Sequence, residues 1–131
     1  MSNLTNRIVP VLASPNEFQK ELEYSRDYKV QTLEIRIDAF QDEIDKLFKS
    51  WNSFRHTYPE FDFLGTVRED VDCGFYNPVS SDLKRQWFQK LLEDDLVDIL
   101  DVEIDRFDQY GDIINGIKGS DKELIASYHD F

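Results

Sequence analysis

Four places in the sequence set polar side chains where they can act together. In Thr32–Phe40, Glu34, Arg36 and Asp38 alternate with Leu33, Ile35 and Ile37. An extended strand would put the charged set on one face and the apolar set on the other. Three charges on one face of a strand set between helices are costly to bury unless they pair with each other or with a ligand. Both signs are present, so Glu34 with Arg36 reads as an internal ion pair, a substrate-contacting pair, or both. Thr66 and Arg68 share a face of a later apolar run, and Arg68 can neutralise Glu34 or Glu103 or meet a ligand. Glu103 stands between Asp101 and Asp105 on the polar face of another run. It is read as a group that orients others, and the two aspartates as structural or solvated. His129 closes the series two residues before the last residue given; it is either a hydrogen-bonded histidine at a strand end or an acid–base group.

These positions are carried by a regular alternation of elements. Ile8–Ala13 is a short apolar run, and Ser14-Pro15-Asn16-Glu17 then supplies an N-cap serine, a proline at the first helical position and a glutamate at the third. Phe18, Leu22 and Ser25 continue one helical face. The charged strand described above follows, and from about Asp42 the period changes: Ile44, Leu47, Phe48, Trp51 and Phe54 recur at helical spacing. Phe61–Arg68 reads as a third strand and Glu69–Pro78 as a loop, with Gly74 and Asn77-Pro78 as turn signals. Ser80 or Ser81 caps a third helix with a stripe of Leu83, Trp87, Phe88 and Leu91. Leu96–Asp105 is a fourth strand, Gln109–Lys118 a short helix closed by Gly119, and Glu123–Phe131 a fifth strand.

The order β-α-β-α-β-α-β-α-β predicts right-handed crossovers and a parallel sheet with helices outside. No glycine-rich phosphate loop follows the first strand, which removes the best support for a nucleotide-binding doubly wound fold. Polar residues instead gather near the C-terminal ends of four successive strands (Glu34 and Arg36, Arg68, Glu103, His129), the rim where a (β/α)8 TIM barrel collects its catalytic groups. The chain is therefore read as a single partial barrel domain over 1–131, holding about the first five strands and four helices.

Composition narrows the partners. With 27 acidic against 15 basic side chains the formal net charge is −12, and no basic run interrupts it. This disfavours a nucleic-acid surface or an anionic membrane surface, while leaving room for a pocket that gathers a few arginines around a small anion. Ten Phe, six Tyr and two Trp within 40% hydrophobic content argue for a packed core. Cys73 is the single cysteine, so no intramolecular disulfide forms, and it is read as a neutral filler. Neither a signal peptide nor a membrane-spanning run is read, and the expected location is the cytoplasm. His56, at the end of an aromatic-rich helix, is read as surface; Trp51, Phe54, Trp87 and Phe88 as core.

Against this background the sequence resembles the type I 3-dehydroquinate dehydratases of the shikimate pathway, which serves aromatic amino acid biosynthesis. Glu34-Ile-Arg36-Ile-Asp38-Ala-Phe40 is similar to the family's second-strand Glu-x-Arg-x-Asp followed by an aromatic residue. Gly65-Thr-Val-Arg68 is similar to its third-strand Thr-x-Arg, Asp98-Ile-Leu-Asp101-Val-Glu103 to its fourth-strand signature, and Ser127-Tyr-His129-Asp-Phe131 to the segment bearing the catalytic histidine. The resemblance implies a lyase that dehydrates 3-dehydroquinate to 3-dehydroshikimate through a lysine Schiff base. It uses no metal and no dissociable cofactor. By position, His129 is the general acid and base, Glu34, Arg36 and Arg68 hold the substrate, and Asp72 and Glu103 support them.

Two departures accompany the resemblance. The family's glutamate four residues after the third-strand arginine is Asp72 here, one methylene shorter. The sixth-strand lysine lies beyond Phe131, and no lysine in the sequence is read as its substitute; Lys118 and Lys122 flank the turn before the fifth strand, at the opposite end of a barrel. Five strands alone leave the first and fifth as open parallel edges with the apolar interior exposed. The expected partners beyond the small-molecule substrate are accordingly a second copy, as a homodimer, or the missing C-terminal half. The alternative to a dehydratase is a non-catalytic half-barrel that binds a ligand or partner chain, or an inactive fragment.

Overall fold

A computed structural model describes residues 10–68 and 79–127, with Asp105 by its backbone alone. Five parallel strands lie in sequence order: β1 (Val11–Leu12), β2 (Thr32–Arg36), β3 (Asp62–Thr66), β4 (Ile99–Glu103) and β5 (Glu123–Ser127). Between them run α1 (Phe18–Asp27), α2 (Ile44–Thr57), α3 (Ser81–Glu93) and α4 (Gly111–Lys118). Strands one and five are the edges, as expected from the alternation.

Register separates the two faces. Val11 pairs with Glu34, Glu34 with Leu64, and Leu64 with Ile99; Asp101 pairs with Ile125 and Glu103 with Ser127. Paired residues in a parallel ladder share a face, so this polar-rich set forms one side of the sheet. The opposite side carries Leu12, Leu33, Ile35, Phe63, Leu100 and Val102, all at most 1% exposed, beneath the helices. The contrast is sharpest at the edges, where Val11 (49% exposed) and Ile125 (40%) show that the first face is open.

The helices press close on the covered face. Phe18, Leu22 and Ser25 of α1, Leu47, Phe48, Trp51 and Phe54 of α2, and Trp87, Phe88 and Leu91 of α3 are buried at the expected spacing. Gly65 lets α3 approach: a Cβ there would sit 3.0 Å from Leu91 Cδ1 and 3.1 Å from Val97 Cγ1. At the N-terminal ends of the strands, Arg55 donates to both carboxylate oxygens of Asp98 (2.7 and 2.9 Å), which also accepts the Phe63 N–H at 2.9 Å. This ties α2 to β3 and β4. Lys122 holds Asp95 and the Val97 carbonyl nearby, placing it at that end, remote from the strand C-termini.

Several boundaries differ from the expectation, each for a local reason. The run from Ser14 to Glu17 is a turn, with the Glu17 N–H bonded to the Ser14 carbonyl, and α1 starts at Phe18 without a side-chain cap. β2 stops at Arg36 and β4 at Glu103; 3-10 segments, Ile37–Glu43 and Ile104–Tyr110, then lead into α2 and α4. Ile37 and Phe40 are buried three residues apart, the spacing that a 3-10 turn superposes. Ile104, expected on the apolar face of a strand, is 51% exposed. Both α1 and α3 end in the same motif, with Lys29 (φ 57°) and Asp95 (φ 53°) left-handed. The N–H of Val30 bonds the Ser25 carbonyl and that of Leu96 the Leu91 carbonyl, the 6→1 bond of a Schellman cap with its hydrophobic residue buried. Ser80 caps α3 as expected, accepting the Leu83 N–H at 3.2 Å. The described parts of the first strand, β3 and β5 are shorter than the apolar runs that predict them. Residues 8–9, Glu69–Pro78 with Asp72 and Cys73, and 128–131 with His129 lie outside the described residues.

Candidate active site

The polar face gathers its charges at the C-terminal ends of β2, β3 and β4. Arg36 donates Nε to Asp38 Oδ1 (3.0 Å) and Nη2 to Asp38 Oδ2 (2.7 Å), and Asp38 is only 3% exposed. This corrects the expected Glu34–Arg36 pair. The chain turns into a 3-10 segment after Arg36, which swings Asp38 back onto the guanidinium of its own strand. Asp38 Oδ1 also lies 3.4 Å from the Arg68 N–H, joining the end of β2 to the residues that follow β3.

Arg68 is likewise spoken for. It grips Asp101 through two bonds, Nη1–Oδ1 at 3.3 Å and Nη2–Oδ2 at 3.1 Å, with both side chains under a tenth exposed. The expected partners were Glu34 or Glu103; Leu64 opposite Ile99 sets the stagger that brings Asp101 within reach instead. Asp101 also accepts the Ser127 hydroxyl, so β3, β4 and β5 meet on one carboxylate. Its structural reading holds. Thr66, in register with Arg36, is fully buried, and its Oγ1 has no partner among the described residues.

A third pair had no counterpart in the expectation. Lys84, in the first turn of α3, is fully buried and places Nζ 3.4 Å from Glu103 Oε1. Its sequence signal was its position three, four and seven residues before Trp87, Phe88 and Leu91. A search for apolar stripes passes over a lysine there.

Glu34 is the exception. Among the described residues it makes no ion pair within salt-bridge distance and no side-chain hydrogen bond, although Arg68, Arg36, Asp38 and Asp101 all act on it electrostatically. Burial pushes its carboxyl above the ordinary value of 4.5; Arg68 opposes this, and Asp101 reinforces it. The arrangement is thus three cation–carboxylate pairs around one half-buried carboxylate. Such a carboxylate can accept hydrogen bonds from a neutral ligand's hydroxyls, while fixed arginines face charge or carbonyl oxygen. His56 lies elsewhere, exposed, bonding the Asn52 carbonyl.

The model of the family described as type I 3-dehydroquinase matches residues 8–131. The chain belongs to that family. Among solved structures, it is similar to the type I 3-dehydroquinate dehydratase of Clostridium difficile, at 22% identity and a TM-score of 0.81, covering 94% of this chain and 50% of that one. It is also similar to the 3-dehydroquinate dehydratases of Aquifex aeolicus (22% identity, TM-score 0.74, 95% of this chain and 53% of that one) and Geobacillus kaustophilus (18%, 0.77, 90% and 48%). No curated protein matches at a significant level. This type I 3-dehydroquinase chain therefore spans about half the length of its structural relatives, and its five parallel strands with outer helices are a half-barrel of the TIM type. No described helix is long and apolar enough to cross a membrane.

Proposed function

We propose that this chain is the N-terminal part of a cytoplasmic 3-dehydroquinate dehydratase, a carbon–oxygen lyase that converts 3-dehydroquinate to 3-dehydroshikimate. The observation that carries the reading is the paired-charge cluster at the strand C-termini, in which Glu34, Arg36, Asp38, Arg68, Asp101 and Glu103 all fall in the segments similar to the family's signatures. Glu34, without an ion pair among the described residues and partly stripped of water, accepts the substrate's hydroxyls. Arg36 and Arg68, each locked by an aspartate, bind with geometry fixed in advance, so little entropy is lost on closure. His129 removes the proton beside the carbon that was the ketone and delivers a proton to the departing hydroxyl, which leaves as water. Asp72 supports it, and Glu103 shapes the rim. The ketone is activated by a lysine imine, and the reading calls for neither metal nor dissociable cofactor.

The same residues form one partial barrel domain, and the polypeptide that completes it covers both open edges. A cleft of about 550 Å³ beside β1, lined by Leu12, Glu21, Tyr24, Tyr28 and Val30, is apolar in the way a covered helix–strand interface is. A homodimer is the alternative cover. If the cleft and edges bind a partner but no substrate is turned over, the chain is a half-barrel interaction module instead.

The test is turnover of 3-dehydroquinate by the whole product of the gene, followed by the ultraviolet absorbance of the conjugated product. Borohydride added with substrate should fix a covalent adduct visible by mass. His129→Ala should lower kcat by roughly 100-fold or more with KM little changed. A gene product that neither turns over nor is trapped refutes the dehydratase reading.

A further inference from the structure

Lys84 is placed against its intrinsic preferences. It sits in the first turn of α3, where the helix dipole disfavours a cation, and its side chain is 0% exposed. Burying an ammonium is tolerated only with a partner and a polarisable surround. Both are present. Glu103 Oε1 lies 3.4 Å from Nζ, the Tyr110 ring centroid 5.2 Å away and the Phe88 centroid 5.5 Å away.

The partners share one feature. Glu103 is the last residue of β4 and Tyr110 the last of the 3-10 segment that leaves it, so Lys84 holds both ends of that segment from the neighbouring helix. Glu103 pairs in register with Ser127 at the end of β5, and Ser127 donates to Asp101 on β4. The β2 and β3 side of the site has its own pairs, Arg36–Asp38 and Arg68–Asp101.

We propose that Lys84 is a positioning residue that fixes the β4–β5 rim through Glu103, and thereby the strand that leads to His129, without touching substrate. Its catalytic consequence rests on the dehydratase reading. Arg36 and Arg68 take Asp38 and Asp101 rather than Glu103, and the rim is linked to them through the Ser127 hydroxyl on Asp101, so loss of the Lys84 charge lowers kcat far more than it raises KM.

The test uses Lys84→Met, which keeps length and apolar bulk but removes the charge, and the double variant Lys84→Met/Glu103→Gln, which also removes the stranded carboxylate. Both are made in the full gene product. Lys84→Met should destabilise the fold and lower kcat roughly 10- to 100-fold, the scale of a small misplacement of reacting groups, with KM within about twofold. In the double variant, stability should return and kcat should not. The Ser127 backbone amide resonance should shift in both, while those of Glu34 and Arg36 stay in place. Recovery of kcat together with stability would make the pair merely structural and overturn the proposal. So would a Lys84→Met enzyme with unchanged kcat and an unmoved Ser127 resonance. If the unmodified protein turns over no 3-dehydroquinate, the dehydratase reading fails by itself, and the Ser127 comparison alone decides whether Lys84 sets the rim. Should Lys84→Met not fold, the double variant supplies both readouts.

Discussion

Asp101→Leu offers the sharpest test of how the site is held. Arg68 and Asp101 are 9% and 7% exposed and joined by two bonds. Their net worth against two apolar side chains is small, because desolvating both charges cancels most of their attraction. Removing one partner alone is a different matter. Leucine at 101 would leave the Arg68 guanidinium buried without its counter-charge and the Ser127 hydroxyl without its acceptor, a loss of about 3–5 kcal/mol. In a domain of this size each kcal/mol moves the thermal midpoint by roughly 4 °C, so the single variant should melt some 12–20 °C lower, roughly.

The companion Arg68→Met/Asp101→Leu removes both charges and should return to within about 1 kcal/mol of the parent. On the proposed dehydratase reading it should nonetheless have lost affinity for 3-dehydroquinate, since Arg68 is gone. Urea unfolding followed by circular dichroism gives all the stabilities, and the three variants close a double-mutant cycle once Arg68→Met is added. A single variant that costs under about 1 kcal/mol, or a double variant no more stable than the single one, would refute the reasoning. Either result would mean that solvent reaches the pair.

Two further predictions concern pH. Burial pushes the Asp98 carboxyl up, but the Arg55 guanidinium and the Phe63 N–H outweigh it and hold it below 3.8; its stabilisation is therefore complete above that ordinary value and lost as pH falls through the lowered one. Asp98→Asn should lower stability by about 2–3 kcal/mol at pH 7 and flatten that acid limb of a urea-unfolding series. Glu34 has the opposite sign: its raised carboxyl binds protons more tightly when folded, so its contribution is best at low pH and declines as pH climbs from 4.5 through the raised value. Glu34→Gln should gain about 0.5–2 kcal/mol at pH 7 and nothing at pH 3, and on the proposed dehydratase reading it should also weaken substrate binding; a variant no more stable at pH 7 than its parent would show that the carboxylate carries no burial penalty.

The strand order and the apolar helix stripes were legible because periodicity reports burial directly. Which carboxylate each cation takes was not. The pattern offers Arg68 either Glu34 or Glu103, and the choice of Asp101 depends on the stagger between β3 and β4, a tertiary quantity with no trace in either strand's own pattern. Arg36 was assigned to Glu34 because alternation to Asp38 looked like continued strand. The 3-10 turn at Ile37 satisfies the same apolar positions with a period of three, and only that turn brings Asp38 back. The two Schellman caps escaped for a related reason: Lys29 and Asp95 occupy positions where glycine is the usual signal.

Lys84 shows the common cause. Its spacing marked it as interior and its type marked it as surface, and the contradiction is resolved by Glu103, nineteen residues later. Local pattern thus nominates candidate residues, while long-range register decides how their charges are matched. At the strand C-termini of this half-barrel that matching leaves Glu34 without an ion pair among the described residues. A charge that the fold neither neutralises nor fully hydrates is a standing cost, and a ligand's hydroxyl groups are what would relieve it. The same electrostatic accounting that explains the three pairs is therefore what supports Glu34 as a ligand contact in the proposed function.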